Sequence, residues 1–166
     1  MNIEHTSSES STGRARVVEL DVRDDLRHGR EPFGRIMDAV AGLSGDDVLY
    51  LRATFEPVPL FKALGKRGFE HYALRQASDD WHVWFYRNAR ALEVRFDVRD
   101  MEPPEPMTRT LEALTTLPRD ATLLHINARV PQFLLPILTE RGFTYAIDTT
   151  DPDAIEVRIR HASDNA

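Results

Sequence analysis

Cysteine is absent from this sequence of 166 residues. The absence excludes disulfides, thiolate nucleophiles and zinc or iron–sulfur sites that depend on Cys ligands. Positive charge is also scarce, because 21 Lys and Arg against 27 Asp and Glu give a net charge of −6. Acids and bases are interspersed, so no basic stripe can neutralise phosphates or anionic lipids. We therefore expect neither a nucleic-acid partner nor a membrane partner.

Long hydrophobic runs are missing as well. No stretch approaches the roughly 18 apolar residues of a membrane span, and the N-terminal MNIEHTSSESSTGRA lacks the apolar core of a secretory signal. A cytoplasmic protein is expected. Residues 1–14 are rich in Ser, Thr and Glu and show no periodicity, which predicts a disordered tail before the folded part.

The sequence contains an internal duplication. The segment EPVPLFKALGKRGF (56–69) matches VPQFLLPILTERGF (130–143) at an offset of 74 residues, and VELDVRD (18–24) recurs as VRFDVRD (94–100). The same offset of 74 relates Pro32 to Pro106, Leu43 to Leu117, and Trp81, Val83 and Phe85 to Ile155, Val157 and Ile159. This shared register predicts two tandem repeats, residues 15–88 and 89–162.

Each repeat has the hydrophobic pattern of a β-α-β-α-β-β unit. Alternating apolar residues predict strands, and a stripe at helical spacing predicts the first helix, with Phe33, Ile36 and Val40 on its buried face. Basic residues followed by Gly68 or Gly142 predict helix ends at which the glycines adopt positive φ. We expect an α+β fold of two separate two-layer sandwiches, each a four-stranded mixed sheet with two helices on one face.

Several motifs resemble a known family. LDVR, EPVPLF, RGF and WHVW are similar to those of the bacterial domain-of-unknown-function family 2249, which is itself similar to the TusA-like (SirA-like) sulfur carriers. The resemblance covers residues 16–161 as two copies and implies TusA-like repeats. Those carriers hold a persulfide on the Cys of a Cys-Pro-x-Pro motif at the start of the first helix. In MEPPEPM (101–107) Pro104 and Pro106 match the two prolines, so Pro103 occupies the position of the Cys and persulfide transfer is excluded.

The loops that correspond to the carrier loop supply candidate binding residues. Pro32 and Pro106 are interpreted as first helical residues, with Glu31 and Glu105 beside the positive end of the helix dipole. Pro103 and Glu105 are therefore candidates in the second repeat. His28 is the candidate in the first, as a contact for an anion or a metal; the alternative interpretation is a solvent-facing loop residue.

Two Asp-x-Arg pairs stand at corresponding positions, Asp21 with Arg23 and Asp97 with Arg99. Period-2 geometry places each acid and base on one face of a strand. A catalytic pair would need a nucleophile, which neither pair has, so we favour a salt bridge that orders the following loop. Arg23 and Arg99 remain candidate binding residues. The sequence contains no Gly-rich phosphate loop, HExxH or GxSxG motif, so no enzyme is indicated and no cofactor is expected.

An apolar patch is predicted on the last strand of the first repeat. If Val83 and Phe85 face the helices, then His82, Trp84 and Tyr86 point to the opposite face of the sheet. A soluble monomer seldom exposes such a patch. We therefore predict that Trp84 and Tyr86 lie in an interface, either between the two repeats or in a homodimer.

Two classes of function follow. The first is a non-catalytic binding or adaptor protein that has lost the carrier thiol and kept a recognition surface for a protein partner or a small anionic ligand. The resemblance implies a setting in redox, metal–sulfur or nitrogen-oxide physiology. The alternative is a metal- or haem-dependent sensor or enzyme that uses histidines, although no two of them have the close spacing of a ligand pair. The six are His5, His28, His71, His82, His125 and His161.

Overall fold

The computed structural model describes residues 15–163, so the tail predicted for residues 1–14 lies outside the described residues. The chain forms two compact units that divide between Ala91 and Leu92. Each unit contains one four-stranded sheet of its own. The prediction of two separate sandwiches is confirmed.

The first unit begins with a strand and ends with a pair of antiparallel strands. Its elements are β1 (Val17–Asp21), α1 (Arg23–Arg27), α2 (Phe33–Ala41), β2 (Val48–Ala53), α3 (Val58–Gly65), β3 (Glu70–Ala77) and β4 (Asp80–Tyr86).

The second unit repeats this order without a counterpart of α1. After a 3-10 turn (Ala89–Ala91) it comprises β5 (Glu93–Asp97), α4 (Glu105–Thr115), β6 (Thr122–Asn127), α5 (Leu134–Glu140), β7 (Phe143–Asp148) and β8 (Ile155–His161).

The two sheets have the same topology. Their strand orders are β1-β2-β4-β3 and β5-β6-β8-β7. The first two strands of each sheet are parallel and the others pair antiparallel. Because a helix follows each parallel strand, both main helices of a unit begin at the same end of its sheet, beyond the C-terminal ends of the parallel strands. We call this end of each unit the helix-start end.

One face of each sheet packs against the helices. In the first unit, helix residues and alternate strand residues share a single core: Ile36, Val40, Leu43, Leu60, Leu64, Leu49, Leu51, Val83 and Phe85. In the second unit the matching strand positions are also fully buried, among them Val94, Phe96, Leu123, Val157 and Ile159. The alternation predicted from the sequence therefore gives the observed division into a helix-facing and an opposite face.

The predicted helix ends are confirmed. Gly68 has φ 90° and Gly142 has φ 87°, a region that only glycine adopts without strain. Phe69 N–H donates to the Leu64 carbonyl at 3.1 Å, so the glycine turns the chain back into β3 while helical carbonyls keep a donor.

Helix α1 was not predicted. It has only five residues, none of them buried, so no apolar period marks it in the sequence. Ion pairs hold it in place: Asp25 accepts from Arg30 Nε at 3.0 Å and also bonds Arg35 of α2. These arginines lower the pKa of Asp25.

Three details of the helix starts differ from the sequence prediction. Pro32 is the N-cap of α2 and not its first residue, and α4 begins at Glu105, one residue before Pro106. Phe33, predicted on the buried stripe, is 46% exposed because it is the first residue of α2 and precedes the turns that cover the sheet. The Glu31 carboxylate accepts from Phe33 N–H at 2.8 Å, as expected of an acid at the positive end of a helix.

Candidate functional site

A polar network lies at the helix-start end of the first unit. Asp21 is the last residue of β1, and Arg52 is the β2 residue paired with it. His82 of β4 pairs with Arg52 from the other side, and Asp80 begins β4. Alternation places all four side chains on the face opposite the helices.

Two arginines and two aspartates compensate each other in this network. Arg23 binds Asp21 through two hydrogen bonds of 3.0 and 2.8 Å and lies 3.6 Å from Asp80. Arg52 Nη2 donates to Asp80 Oδ2 at 2.8 Å. The hydrogen bond from Arg23 lowers the pKa of Asp21 to about 2, against the opposing effect of burial.

His82 extends the network to an aromatic side chain. Its Nδ1 lies 2.8 Å from the Tyr50 hydroxyl, and its Nε2 lies 3.3 Å from Asp80 Oδ1. A carboxylate beside Nε2 favours the tautomer protonated there, so the Tyr50 hydroxyl donates to Nδ1. Burial lowers the pKa of His82, although Asp80 acts in the opposite direction. The imidazole is therefore neutral at pH 7.

The network has little capacity left for a ligand. Among the described residues, three of its buried atoms lack an aligned hydrogen-bond partner: Arg52 Nε, Asp80 Oδ1 and His82 Nε2. The last two face each other, so a small rotation would align them. With its charges compensated internally, the network ties α1 to the turn between β3 and β4 and thereby orders the helix-start end.

The second unit keeps only part of this arrangement. Arg99 binds Asp97 through two hydrogen bonds of 3.0 and 2.7 Å and donates to the Asp153 carbonyl at 3.2 Å. The remaining network positions have changed, because Tyr50, Arg52, Asp80 and His82 correspond at the offset of 74 to Leu124, Ile126, Ala154 and Glu156.

Large apolar side chains are exposed at the helix-start end of each unit. In the first unit, Phe55 in the loop after β2 is 53% exposed, and Val58, the first residue of α3, is 55% exposed. Phe33 adds a third. In the second unit, Phe133 at the start of α5 is 81% exposed.

A family model described as "Uncharacterized conserved protein (DUF2249)" matches residues 19–87 and again residues 95–161. The chain belongs to the DUF2249 family. The two matches coincide with the two compact units, so each unit is one DUF2249 domain. No curated protein and no solved structure matches the chain.

The first DUF2249 domain brings two of the predicted site residues together. Arg23 and His82 meet at Asp80, and the predicted salt bridges at both Asp-x-Arg pairs are confirmed. The placement of Arg23 and Arg99 on strands was wrong, because Arg23 begins α1 and Arg99 lies beyond the end of β5. The chain turns immediately after each aspartate, and the arginine folds back onto it.

His28 does not join the network. It follows α1, its side chain is 60% exposed, and its Nδ1 lies 2.9 Å from the Asp24 carbonyl. In the second domain Pro103 is exposed in the loop before α4, and Glu105 is the first residue of that helix, 3.4 Å from Arg109. These three residues remain candidate binding positions.

Trp84 and Tyr86 are buried, each only 3% exposed. The Trp84 ring stacks on Tyr50 at 4.9 Å with an interplanar angle of 15°. The Tyr86 hydroxyl donates to Glu70 at 3.4 Å, and burial together with Glu70 raises the pKa of Tyr86 to about 12. Their place in an interface stays a prediction.

Sequence reasoning missed Tyr50, Arg52 and Asp80. The available signal was alternation on two segments, Tyr50-x-Arg52 and Asp80-x-His82-x-Trp84, which places polar and aromatic side chains on the face opposite the core. These side chains can be recognised as one site only when β4 is known to pair with β2.

The second domain buries one further histidine. His125 is 1% exposed on the helix-facing side of β6. Asn127 Nδ2 donates to its Nε2 at 3.2 Å, so Nδ1 carries the proton and donates to Thr110 Oγ1 at 3.1 Å. Burial lowers the pKa of His125 to about 4.

Within residues 15–163, no three His, Asp or Glu side chains are grouped as a metal site would require. None of the helices in this part of the chain has the length and apolar character needed to cross a bilayer.

Proposed function

We propose that this DUF2249 protein is a non-catalytic binding or adaptor protein and that the helix-start ends of its domains recognise a protein partner. The observation that carries the proposal is the exposure of Phe33, Phe55 and Val58 in the first domain and of Phe133 in the second. Of the seven large apolar side chains exposed in the described residues, these four lie at helix-start ends. Apolar side chains concentrated at one end are typical of protein-binding surfaces.

The polar network supports a binding role over a catalytic one. Its arginines and aspartates neutralise one another, and its Tyr50 hydroxyl, although it lies beside His82, belongs to a ring stacked on Trp84 and forms part of the internal bonding of the network. The network serves to hold the β1–α1 and β3–β4 turns, which lie at the same end of the first domain as its exposed apolar residues. A recognition surface needs such fixed loops, because ordering them on binding would reduce affinity.

The absence of Cys supports the same proposal. In the sulfur carriers that the sequence resembles, the start of the first helix holds the persulfide. Here Pro103 stands at that position, so we assign the protein no part in persulfide transfer. The cytoplasmic location and the setting in redox, metal–sulfur or nitrogen-oxide physiology belong to this proposal and rest on composition and resemblance. With a net charge of −6, we propose no nucleic-acid or membrane partner.

Photo-crosslinking in the native cells tests the proposal. A benzophenone amino acid replaces Val58, Phe133 or Val17, one position at a time. Val17 is the matched control: it is also a valine, it is 55% exposed like Val58, and it lies at the opposite end of the first domain, where β1 begins. We expect a covalent adduct with another protein at positions 58 and 133 and none at 17.

Adducts of equal yield at all three positions, or none at 58 and 133, would contradict the proposal. Phe55→Ser provides a second readout within the first domain, because an exposed side chain contributes little to folding. The variant should change the free energy of unfolding by less than about 0.5 kcal/mol and still lower the yield of the partner adduct at position 58. A visible absorption band with stoichiometric metal in the purified protein would favour the histidine-based sensor instead.

A further inference from the structure

Strand β7 is an exposed sheet edge. It lies at the end of the order β5-β6-β8-β7, and its residues from Thr144 to Asp148 are all exposed. Tyr145 is 38% and Ile147 39% exposed on the helix-facing side. An unpaired edge with apolar side chains is a template for another strand.

The other three sheet edges carry features that discourage such pairing. Each has charged residues within the strand, and β3 also has a register shift between Arg75 and Ala77. Charges and bulges protect natural edge strands. In β7 the charged residue is Asp148, at the end of the strand. The other edges carry a charge at an inner position, Glu19 in β1, Arg95 in β5 and Arg75 in β3, and further charges at their ends: Asp21, Glu93, Asp97 and Glu70.

The backbone shows which residues of β7 can accept a new strand. Ala162 N–H donates to the Gly142 carbonyl at 2.8 Å, in line with the antiparallel register that continues to Phe143 and His161. In such a ladder, alternate residues direct both backbone groups to the same neighbour. If Gly142 faces β8, then Phe143, Tyr145 and Ile147 direct their N–H and C=O groups to the free edge.

We propose that β7 pairs antiparallel with β7 of a second copy of this chain, with Tyr145 opposite Tyr145. This register places Phe143 opposite Ile147 of the other copy. Phe143, Tyr145 and Ile147, whose backbone groups point to the free edge, then lie opposite Ile147, Tyr145 and Phe143 of the other strand. Each of these three pairs exchanges two backbone hydrogen bonds, so the contact contains about six.

The side chains fit this two-fold arrangement. Residues opposite each other in an antiparallel pair project to the same face, so the two Tyr145 rings lie together and each Phe143 contacts an Ile147. The apolar positions are symmetric about Tyr145, which is what self-pairing requires. At the ends of the pair, Asp148 lies opposite Gly142, next to Arg141, so the nearest charges have opposite signs.

Cross-linking by a single introduced cysteine tests the register. The chain has no cysteine, so Tyr145→Cys creates the only thiol. Opposite residues in a hydrogen-bonded pair have Cα atoms about 5.5 Å apart, within the range of a disulfide. We expect sedimentation of the wild type to show a mass twice 19.0 kDa that dissociates on dilution, and Tyr145→Cys to form a disulfide-linked dimer on mild oxidation.

His71→Cys is the matched control, because His71 is the exposed residue of the β3 edge at the position corresponding to Tyr145. It should give no more than about a tenth of the disulfide yield. Wild-type protein that stays monomeric at all concentrations would overturn the proposal. A dimer in which Tyr145→Cys cross-links no better than His71→Cys would also overturn it, because another surface would then hold the dimer.

Charge substitution gives an independent test of the same contact. Tyr145→Lys alone and Tyr145→Glu alone place like charges opposite each other and should sediment as monomers. An equimolar mixture of the two should restore the dimer. Retention of the homodimer by both single variants would refute the pairing at position 145. These outcomes do not depend on the crosslinks to partner proteins at positions 58 and 133.

Discussion

Replacing the buried His125 together with Thr110 would give this part of the second domain the apolar side chains that the first domain has. At the offset of 74, His125 corresponds to Leu51 and Thr110 to Ile36. Both residues of the first domain belong to its buried core. Replacing His125→Leu and Thr110→Ile together removes both partners of a buried hydrogen bond, a change that is often close to neutral at pH 7. Asn127 also loses its contact with His125, but its side chain is only half-buried and can bond water instead.

The effect on pH dependence should be larger. The pKa of His125 is about 4 in the fold, compared with 6.5 for an unperturbed histidine. Between these values the unfolded chain binds the proton and the folded chain does not, so stability is complete above pH 6.5 and falls as the pH is lowered toward 4. Between pH 7 and pH 5 the wild-type second domain should lose about 2 kcal/mol through this group. The double variant should not lose it.

Amide hydrogen exchange on residues 122–127 measures the free energy of opening of β6 at each pH. Both tryptophans, Trp81 and Trp84, lie in the first domain, so the pH response of their fluorescence shows whether the substitutions also affect that domain. The chemical shift of the His125 imidazole should stay that of the neutral Nδ1–H form down to pH 5. A His125 titration near pH 6.5, or the same pH dependence in wild type and double variant, would refute the reasoning.

Three further substitutions test other parts of the structure. Asp80→Asn leaves Arg52 without its carboxylate and removes a negative charge from beside Arg23, so it should destabilise the protein by about 3 kcal/mol in urea unfolding. Asp79→Asn, at a side chain 68% exposed, should change the free energy of unfolding by less than about 0.5 kcal/mol; equal effects would show that the network does not stabilise the fold. Trp84→Arg places a charge at a site 3% exposed and should lower the free energy of unfolding by about 4 kcal/mol. It should also shift the sedimenting mass or loosen domain packing, and an unchanged mass and melting temperature would contradict the predicted interface. Gly142→Ala should cost about 1–2 kcal/mol because of its positive φ, unlike Gly34→Ala in α2, where a Cβ meets open space; similar melting temperatures for the two variants would argue against a conformational role for Gly142.

The repeat and its strands could be predicted because the relevant signals are local. Period-2 alternation and the basic residues before Gly68 and Gly142 are each read within one segment, and the offset of 74 requires only that two such segments be compared. The face on which His82 and Trp84 lie followed from alternation alone, since Val83 and Phe85 had to face the core. Local signals were sufficient for every element whose apolar residues repeat over several turns or strand positions.

The polar network could not be predicted because it depends on pairing between distant strands. Arg52 and Asp80 are separated by 28 residues and become neighbours only when β4 inserts between β2 and β3. Helix α1 escaped detection for a different reason: it is held by ion pairs with α2 and by one partly buried apolar residue, Leu26, so no apolar period marks it. Phe33 fits a helical stripe, but a stripe does not show where the covering sheet ends.

Arg99 holds the turn between β7 and β8 by a contact that leaves the side chains of that turn free to change. In the first domain Arg23 reaches the carboxylate of Asp80, so the side chain at that position is constrained. In the second, Arg99 reaches the main-chain carbonyl of Asp153, which every amino acid provides. The turn between β7 and β8 can therefore accept substitutions without losing its attachment, and in this duplicated protein it is a segment where sequence can change while the architecture stays fixed.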